Sequence, residues 1–399
     1  MSLPPDIPTP GGSRGWLLRL VIAFSFAQAA VSMARPAVSY RALSLGADER
    51  AIGVIAGAYA LLPLFAAVPL GRRTDHGRCA PLLPAGIVLI AVGCALGGTA
   101  DSLGALAAWS GVMGLGHLSF VIGAQSLVAR RSAPDDQDRN FGHFTIGASL
   151  GQLIGPIAAG LVIVGDAGPD GALASSSALA LVVAAGVGTI GLTSLWRVEP
   201  RGLAASRPAA GARVPVHRIL RARGVPGGIF ISLAVLSATD IVIAYLPVIG
   251  EERGISPFTV GLLLSLRAAA TIACRVVMAP MIRVVGRTPL LVTSCLLAGV
   301  LCAGVAVPVP VWALAVMLAL LGFCLGVGQP LSMTTVVRAA PEGARSTALA
   351  LRLTGNRLGQ VATPAAGGLV AGFAGTGAPF VLLGTLLCAA ATLAVRPPE

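Results

Sequence analysis

Long apolar stretches alternate with short polar breaks along almost the whole chain. Apolar runs between charged or Pro/Gly-rich interruptions predict helices near 16–38, 51–70, 80–100, 103–129, 142–164 and 173–195, and a second set near 225–249, 258–282, 289–309, 311–337, 346–374 and 379–395. Most of these runs reach or approach the roughly 20 residues that carry an α-helix across a bilayer's hydrocarbon core. The predicted fold is therefore all-α and membrane-integral, with twelve transmembrane helices. The polar, Pro-rich start, residues 1–15, reads as a tail, and the run that follows lacks a cleavage site, so the first span is expected to be retained.

The pattern repeats. Laying IGASLGQLIGPIAAGLV, residues 146–162, over TGNRLGQVATPAAGGLV, residues 354–370, gives nine identities in seventeen at an offset of 208. The same offset places Gly46 on Gly254, Gly53 on Gly261, and Pro81-Leu82-Leu83 on Pro289-Leu290-Leu291. Two parallel six-helix bundles, residues 16–195 and 225–399, are thus expected on either side of a basic linker, 196–224. Copies of this kind, related by an axis along the membrane normal, suit a midplane site exposed to alternate sides by rocking.

Composition narrows the class. Of 399 residues, 55% are hydrophobic and 11% charged, against about 25% charged in an ordinary soluble domain. Twelve spans use roughly 240 residues, leaving no room for a large soluble domain. The formal charge of +12 does not point to nucleic acid, because the basic residues, all Arg, sort by side. Twenty fall on the segments and span ends that share a side with the N-terminus, three on the other, and five within spans. The positive-inside rule then puts both termini in the cytoplasm, across the inner membrane of a bacterium. The seven cysteines show no Cys-x-x-Cys spacing and the four histidines no ligand spacing, so no disulfide framework or metal site is expected.

Two motifs carry a resemblance. Between the second and third predicted spans stand Gly71, Asp75, Gly77 and Arg78, and the fifth span carries Gly147, Gly151, Gly155 and Ala159 at every fourth position, with Pro156 beside the third and Gly160 closing GQLIGPIAAG. A stripe of small residues lets another helix backbone approach closely, and Pro156 removes a backbone hydrogen bond. Gly359, Pro364 and Gly368 repeat the stripe in the second half. The loop resembles the Gly-x-x-x-Asp-Arg-x-Gly-Arg motif of the major facilitator superfamily, with His76 in place of Arg and one residue missing before Gly77. The stripe resembles that family's antiporter motif, which implies the twelve-helix drug/proton antiporter branch. The resemblance implies a gating role for Asp75 between the two halves. Ser110 stands where the antiporters carry an Arg associated with proton transfer.

Ionisable groups inside the bilayer are costly and mark functional positions. Asp240 is the only carboxylate within any predicted span and is the candidate coupling group, able to carry a proton or pair with a cation. Arg267 either partners Asp240 or binds an anionic substrate. Arg275 and Arg352 are expected to snorkel toward headgroups, Arg35 to sit near the outer end of the first span, and Arg357 to line the cavity. Gln28, Gln125, His143 and Gln329 could add hydrogen bonds. His117, with an ordinary pKa of about 6.5, is an alternative proton carrier. No catalytic constellation is present and no enzyme is expected. The reading is a secondary active transporter, working as a monomer without a cofactor and driven by a proton gradient, that exports amphipathic or drug-like compounds. The alternative is an uptake symporter or uniporter for a small organic anion.

Overall fold

The computed structural model describes residues 15–76, 79–132, 136–164, 171–196, 215–222, 224–341 and 345–394. The first half comprises α1 (Gly15–Ser44), α2 (Glu49–His76), α3 (Leu82–Gly98), α4 (Leu103–Arg131), α5 (Gln137–Val162) and α6 (Ala172–Ile190), which ends in a 3-10 turn, Gly191–Leu195. A short linker helix, α7 (Val216–Arg221), precedes the second half: α8 (Val225–Glu252), α9 (Pro257–Val285), α10 (Arg287–Val305), α11 (Val311–Ala339), α12 (Arg345–Ala374) and α13 (Ala378–Ala394). The fold is all-α and membrane-integral, two pseudo-symmetric six-helix bundles. Among the described residues nine helices are long and apolar enough to cross a membrane. α3 and α13 are apolar but shorter, and α12 carries a polar face that lowers its hydropathy.

Helix ends follow local chemistry, and the halves share it. Gly46 and Gly254, 208 positions apart, both turn the chain in the left-handed region, with φ of 76° and 64°. Two residues on, Asp48 and Ser256 cap the next helix: the carboxylate accepts from the Ala51 N–H at 2.8 Å and the hydroxyl from the Thr259 N–H at 3.3 Å. α1 outruns its predicted end by six residues. Its continuation through Pro36 puts Arg35 well inside the helix rather than near the outer end.

The linker joins α6 to α8, so the face carrying those ends is the linker face and the opposite one the far face. Within the first half, the small-residue stripe of α5 packs on α1: a Cβ on Gly147, Gly151 or Gly155 would run into Val21, Gln28, Ala29 or Ser32. In the second half, Gly359 of α12 packs likewise against Leu233 of α8. Pro156, Gly160, Pro364 and Gly368 are used differently. Gly160 meets Pro257 and Phe258 of α9, and Gly368 meets Glu49 and Arg50 of α2, so each stripe ends against the opposite half. A Cβ on Gly53 would overlap the Pro364 carbonyl, and one on Gly261 would overlap the Pro156 carbonyl. These two contacts are images of each other at the offset of 208.

Further toward the far face, Tyr245 donates to the Glu49 carbonyl at 2.9 Å and Arg50 stacks on Phe373 at 4.7 Å. At the level of Pro156, Ser265 donates to the Leu153 carbonyl at 2.7 Å. These cross-half contacts all lie between the far surface and the middle of the helices, so the halves are closed together on the far side.

Because overpacking costs about 1–3 kcal/mol, Gly53→Leu and Gly261→Leu should each disfavour this closed arrangement roughly 5- to 150-fold. The check is a pulsed electron paramagnetic distance between labels at Asp101→Cys and Pro308→Cys, on far-side loops of the two halves, in a background without native cysteines. Both substitutions should move the distribution to longer distances; an unchanged distribution contradicts the packing argument.

Candidate functional site

A cavity of about 210 Å³ lies between the halves at mid-depth. Asp240, Arg267, Arg357, His117, Gln28 and Gln329 all line it. Gln125 does not: it points to the exposed side of α4, and His143 is exposed on α5. Gly71 lies in the last two turns of α2 and Asp75 in its final turn, remote from the cavity lining, while Gly77 and Arg78 lie outside the described residues.

Asp240 is not a lone carboxylate. Its Oδ1 forms an ion pair with Arg35 Nη2 at 2.7 Å, from α8 to α1 across the two halves, and its Oδ2 accepts from Gln360 Nε2 at 2.9 Å. Gln360 Oε1 in turn accepts from Arg357 at 2.9 Å. The Arg35 guanidinium also stacks over the Tyr59 ring at 4.9 Å. Of the two readings of Arg267, partnership with Asp240 is therefore replaced by one with Arg35, which the longer α1 brings to the same depth.

His117 is fixed in a second chain. Tyr59 Oη lies 2.7 Å from its Nδ1, and Gln28 Oε1 lies 3.0 Å from its Nε2. The amide of Gln28 continues to Ser32 Oγ at 3.1 Å. Tyr59 donating to Nδ1 and Nε2–H donating to Gln28 satisfy every polar atom with a neutral imidazole. On the opposite wall, Arg352 is buried instead of reaching for headgroups. Its Nη2 donates to Gln329 Oε1 at 2.6 Å and to the Gln329 carbonyl at 3.1 Å, while Gln329 Nε2 donates to the Ser232 carbonyl at 2.7 Å, so three helices of the second half are tied together.

Arg267 is different. It is 7% exposed, its Nε is fully buried, and no guanidinium nitrogen has a hydrogen bond or ion pair among the described residues. Arg275, two helical turns or about 12 Å nearer the linker face, also lines the cavity and has no partner there. Among the described residues, four arginines thus share the lining with one carboxylate, and that carboxylate is already paired. On the far side of Arg35 only a gap of about 20 Å³ remains, walled by Ile52, Ile55 and Met113.

The sequence reading left Arg35, Tyr59, Gln152 and Gln360 out of the site. The offset of 208 would have found Tyr59, since it maps onto Arg267; it also pairs Gln152 with Gln360, and all four of these residues line the cavity. Removing one member of a buried ion pair costs about 3–5 kcal/mol, whereas removing a buried unpaired charge relieves desolvation. Arg35→Ala should therefore lower the melting temperature in detergent, and Arg267→Met should raise it by about 2–4 °C. A fall with Arg267→Met as large as that with Arg35→Ala would show that Arg267 has a partner.

Comparison with known proteins agrees with this architecture. The sequence profile of the major facilitator superfamily matches residues 20–248 and 228–399. Among solved structures, the nucleoside transporter NupG superposes with a TM-score of 0.76 at 13% identity, covering 94% of this chain and 98% of that one. A POT family transporter in complex with a thioalcohol-conjugated peptide gives 0.76 at 15% identity, covering 95% of both chains. A bacterial homolog of the human lysosomal transporter Spinster, inward-facing and occupied, gives 0.72 at 13% identity, covering 95% of this chain and 94% of that one. A search of curated proteins found no match. With the profile spanning nearly its whole length and both bundles enclosing one central cavity, the chain belongs to the major facilitator superfamily and is a transporter, not an enzyme.

Proposed function

We propose that the chain carries a small organic anion across a bacterial cytoplasmic membrane by alternating access, with the linker face and both termini in the cytoplasm. One observation carries this reading: among the described residues, Arg267 is buried without a hydrogen-bond or ion-pair partner and lines a cavity whose one carboxylate is bound to Arg35. A guanidinium in a low-dielectric interior is stabilised by an anion that desolvates with it, and offers that anion up to five donors in a planar fork. Arg357 and Arg275 add positive potential, and Gln28, Gln152 and Ser32 on the opposite wall supply neutral hydrogen-bonding groups for the rest of the molecule. The arginine bias of the linker face supports its cytoplasmic assignment, and the far-side closure then makes this arrangement inward-facing. Each chain holds both walls of the cavity, which supports function as a monomer.

A proton on Asp240 would free Arg35, so the ion pair provides a route for coupling transport to a proton gradient. Proton-driven efflux of amphipathic compounds has less support. The α5 stripe that suggested it is accounted for by packing on α1 and α9, and it recurs in α12. Asp240, the group that would receive a cationic drug, is held by Arg35 and Gln360.

The test is counterflow of radiolabelled mono- and dicarboxylates in proteoliposomes. Loss of a buried charge–anion contact costs 2 kcal/mol or more, so Arg267→Met should weaken transport at least about 30-fold, and Arg357→Ala should weaken it less. Transport of no anion by the wild type, or equal transport by Arg267→Met, overturns the proposal.

A further inference from the structure

A second cavity, of about 200 Å³, opens inside the second bundle at the linker face, away from the central one. Its rim is built from three helix ends. The first turn of α8 contributes Gly227, the first turn of α10 contributes Arg287 and Thr288, and the last turns of α11 contribute Thr334, Thr335 and Arg338. Arg287 donates to Thr334 Oγ1 at 3.3 Å, while Arg338 has no hydrogen bond or ion pair among the described residues. Among the described residues, none of the lining is acidic.

Backbone donors converge on the same rim. The first N–H groups of a helix have no acceptor within it. In α8, the Val225 N–H reaches the Ala222 carbonyl at 3.1 Å and Pro226 has none, which leaves that of Gly227. In α10, Pro289 has none and the Leu290 N–H reaches the Gly286 carbonyl, which leaves those of Arg287 and Thr288. Both termini also present the positive end of a helix dipole. Below the rim the walls turn apolar, at Ile231, Leu291, Leu331 and Leu393.

We infer that this cavity binds a phosphate ester. Two guanidinium groups, threonine hydroxyls and free N–H groups exceed what a carboxylate's two oxygens can accept, and suit the several oxygens of a phosphate. The apolar floor takes the carbon chain to which the phosphate is attached. Such a group is available either from an acidic phospholipid of the adjoining leaflet or from a soluble ester, and the two sources are separable by experiment. The inference is independent of the central cavity, because none of its residues lines that cavity.

The test is the melting temperature of the purified full chain in neutral detergent, titrated separately with phosphatidylglycerol, phosphatidylcholine and glycerol phosphate. Phosphatidylglycerol should raise it by about 2–5 °C and phosphatidylcholine should not; a rise with glycerol phosphate assigns the site to a soluble ester instead. The rise should be abolished in Arg287→Gln/Arg338→Gln and reduced in Arg338→Gln alone, which breaks no contact among the described residues. It should persist in Arg218→Gln/Arg221→Gln, which removes equal charge from α7 on the same face. No rise with either ester, or an equal rise in the Arg287→Gln/Arg338→Gln variant, overturns the inference.

Discussion

The ion pair between Arg35 and Asp240 fixes the character of the central cavity. It joins the two halves at mid-depth and engages the one carboxylate that the described residues place in the lining. Everything else there that carries charge is an arginine, and burial makes an unmatched guanidinium costly in proportion to how little water reaches it. Had Asp240 faced Arg267, one of the two readings of the sequence, the cavity would hold a neutral pair and would have no reason to prefer an anion. The longer α1 moves Arg35 into that place and leaves Arg267 without a direct ion-pair partner among the described residues.

That arrangement rests on a scaffold in which side chains have been reduced to nothing where the halves touch. Gly53 against Pro364 and Gly261 against Pro156 bring helix backbones into direct contact, at positions that are copies of each other. The scaffold is symmetric while the lining is not. Across the offset of 208, Ser32 corresponds to Asp240, Ile243 to Arg35, Tyr59 to Arg267 and Leu325 to His117, and all eight residues face the cavity. Each of the three charges, and the imidazole, is matched by an uncharged residue at the equivalent place in the other half. Repetition thus supplies the framework for rocking, and divergence at a few lining positions supplies chemical selectivity.

The fold was legible because its determinants are local and periodic. Apolar length gives the spans, arginine placement gives the sides, and the repeated Gly-Pro stripe gives the two-bundle plan. Asp240, Arg267 and Arg357 stood out by the same logic, since charge in an apolar run is conspicuous. What did not follow was who faces whom. The first span was expected to end near residue 38, yet the helix runs on through Pro36 to Ser44, which changed the depth of Arg35. Gln125 and Gln28 are alike as sequence, and only helix rotation sends one outward and the other to His117. Tyr59, Gln152 and Gln360 are ordinary residues for a membrane helix; the repeat offset leads from Arg267 to Tyr59, whereas the place of the two glutamines in the lining depends on tertiary packing.

The most direct test of the unmatched-charge account is a thermal stability screen of the wild-type chain against three solutes of one size: an organic anion, its neutral amide and the corresponding amine. Because a ligand that binds only the folded state stabilises it, the account predicts a rise with the anion alone, diminishing as salt competes for the guanidinium. Equal stabilisation by the amine, or by all three, would contradict it.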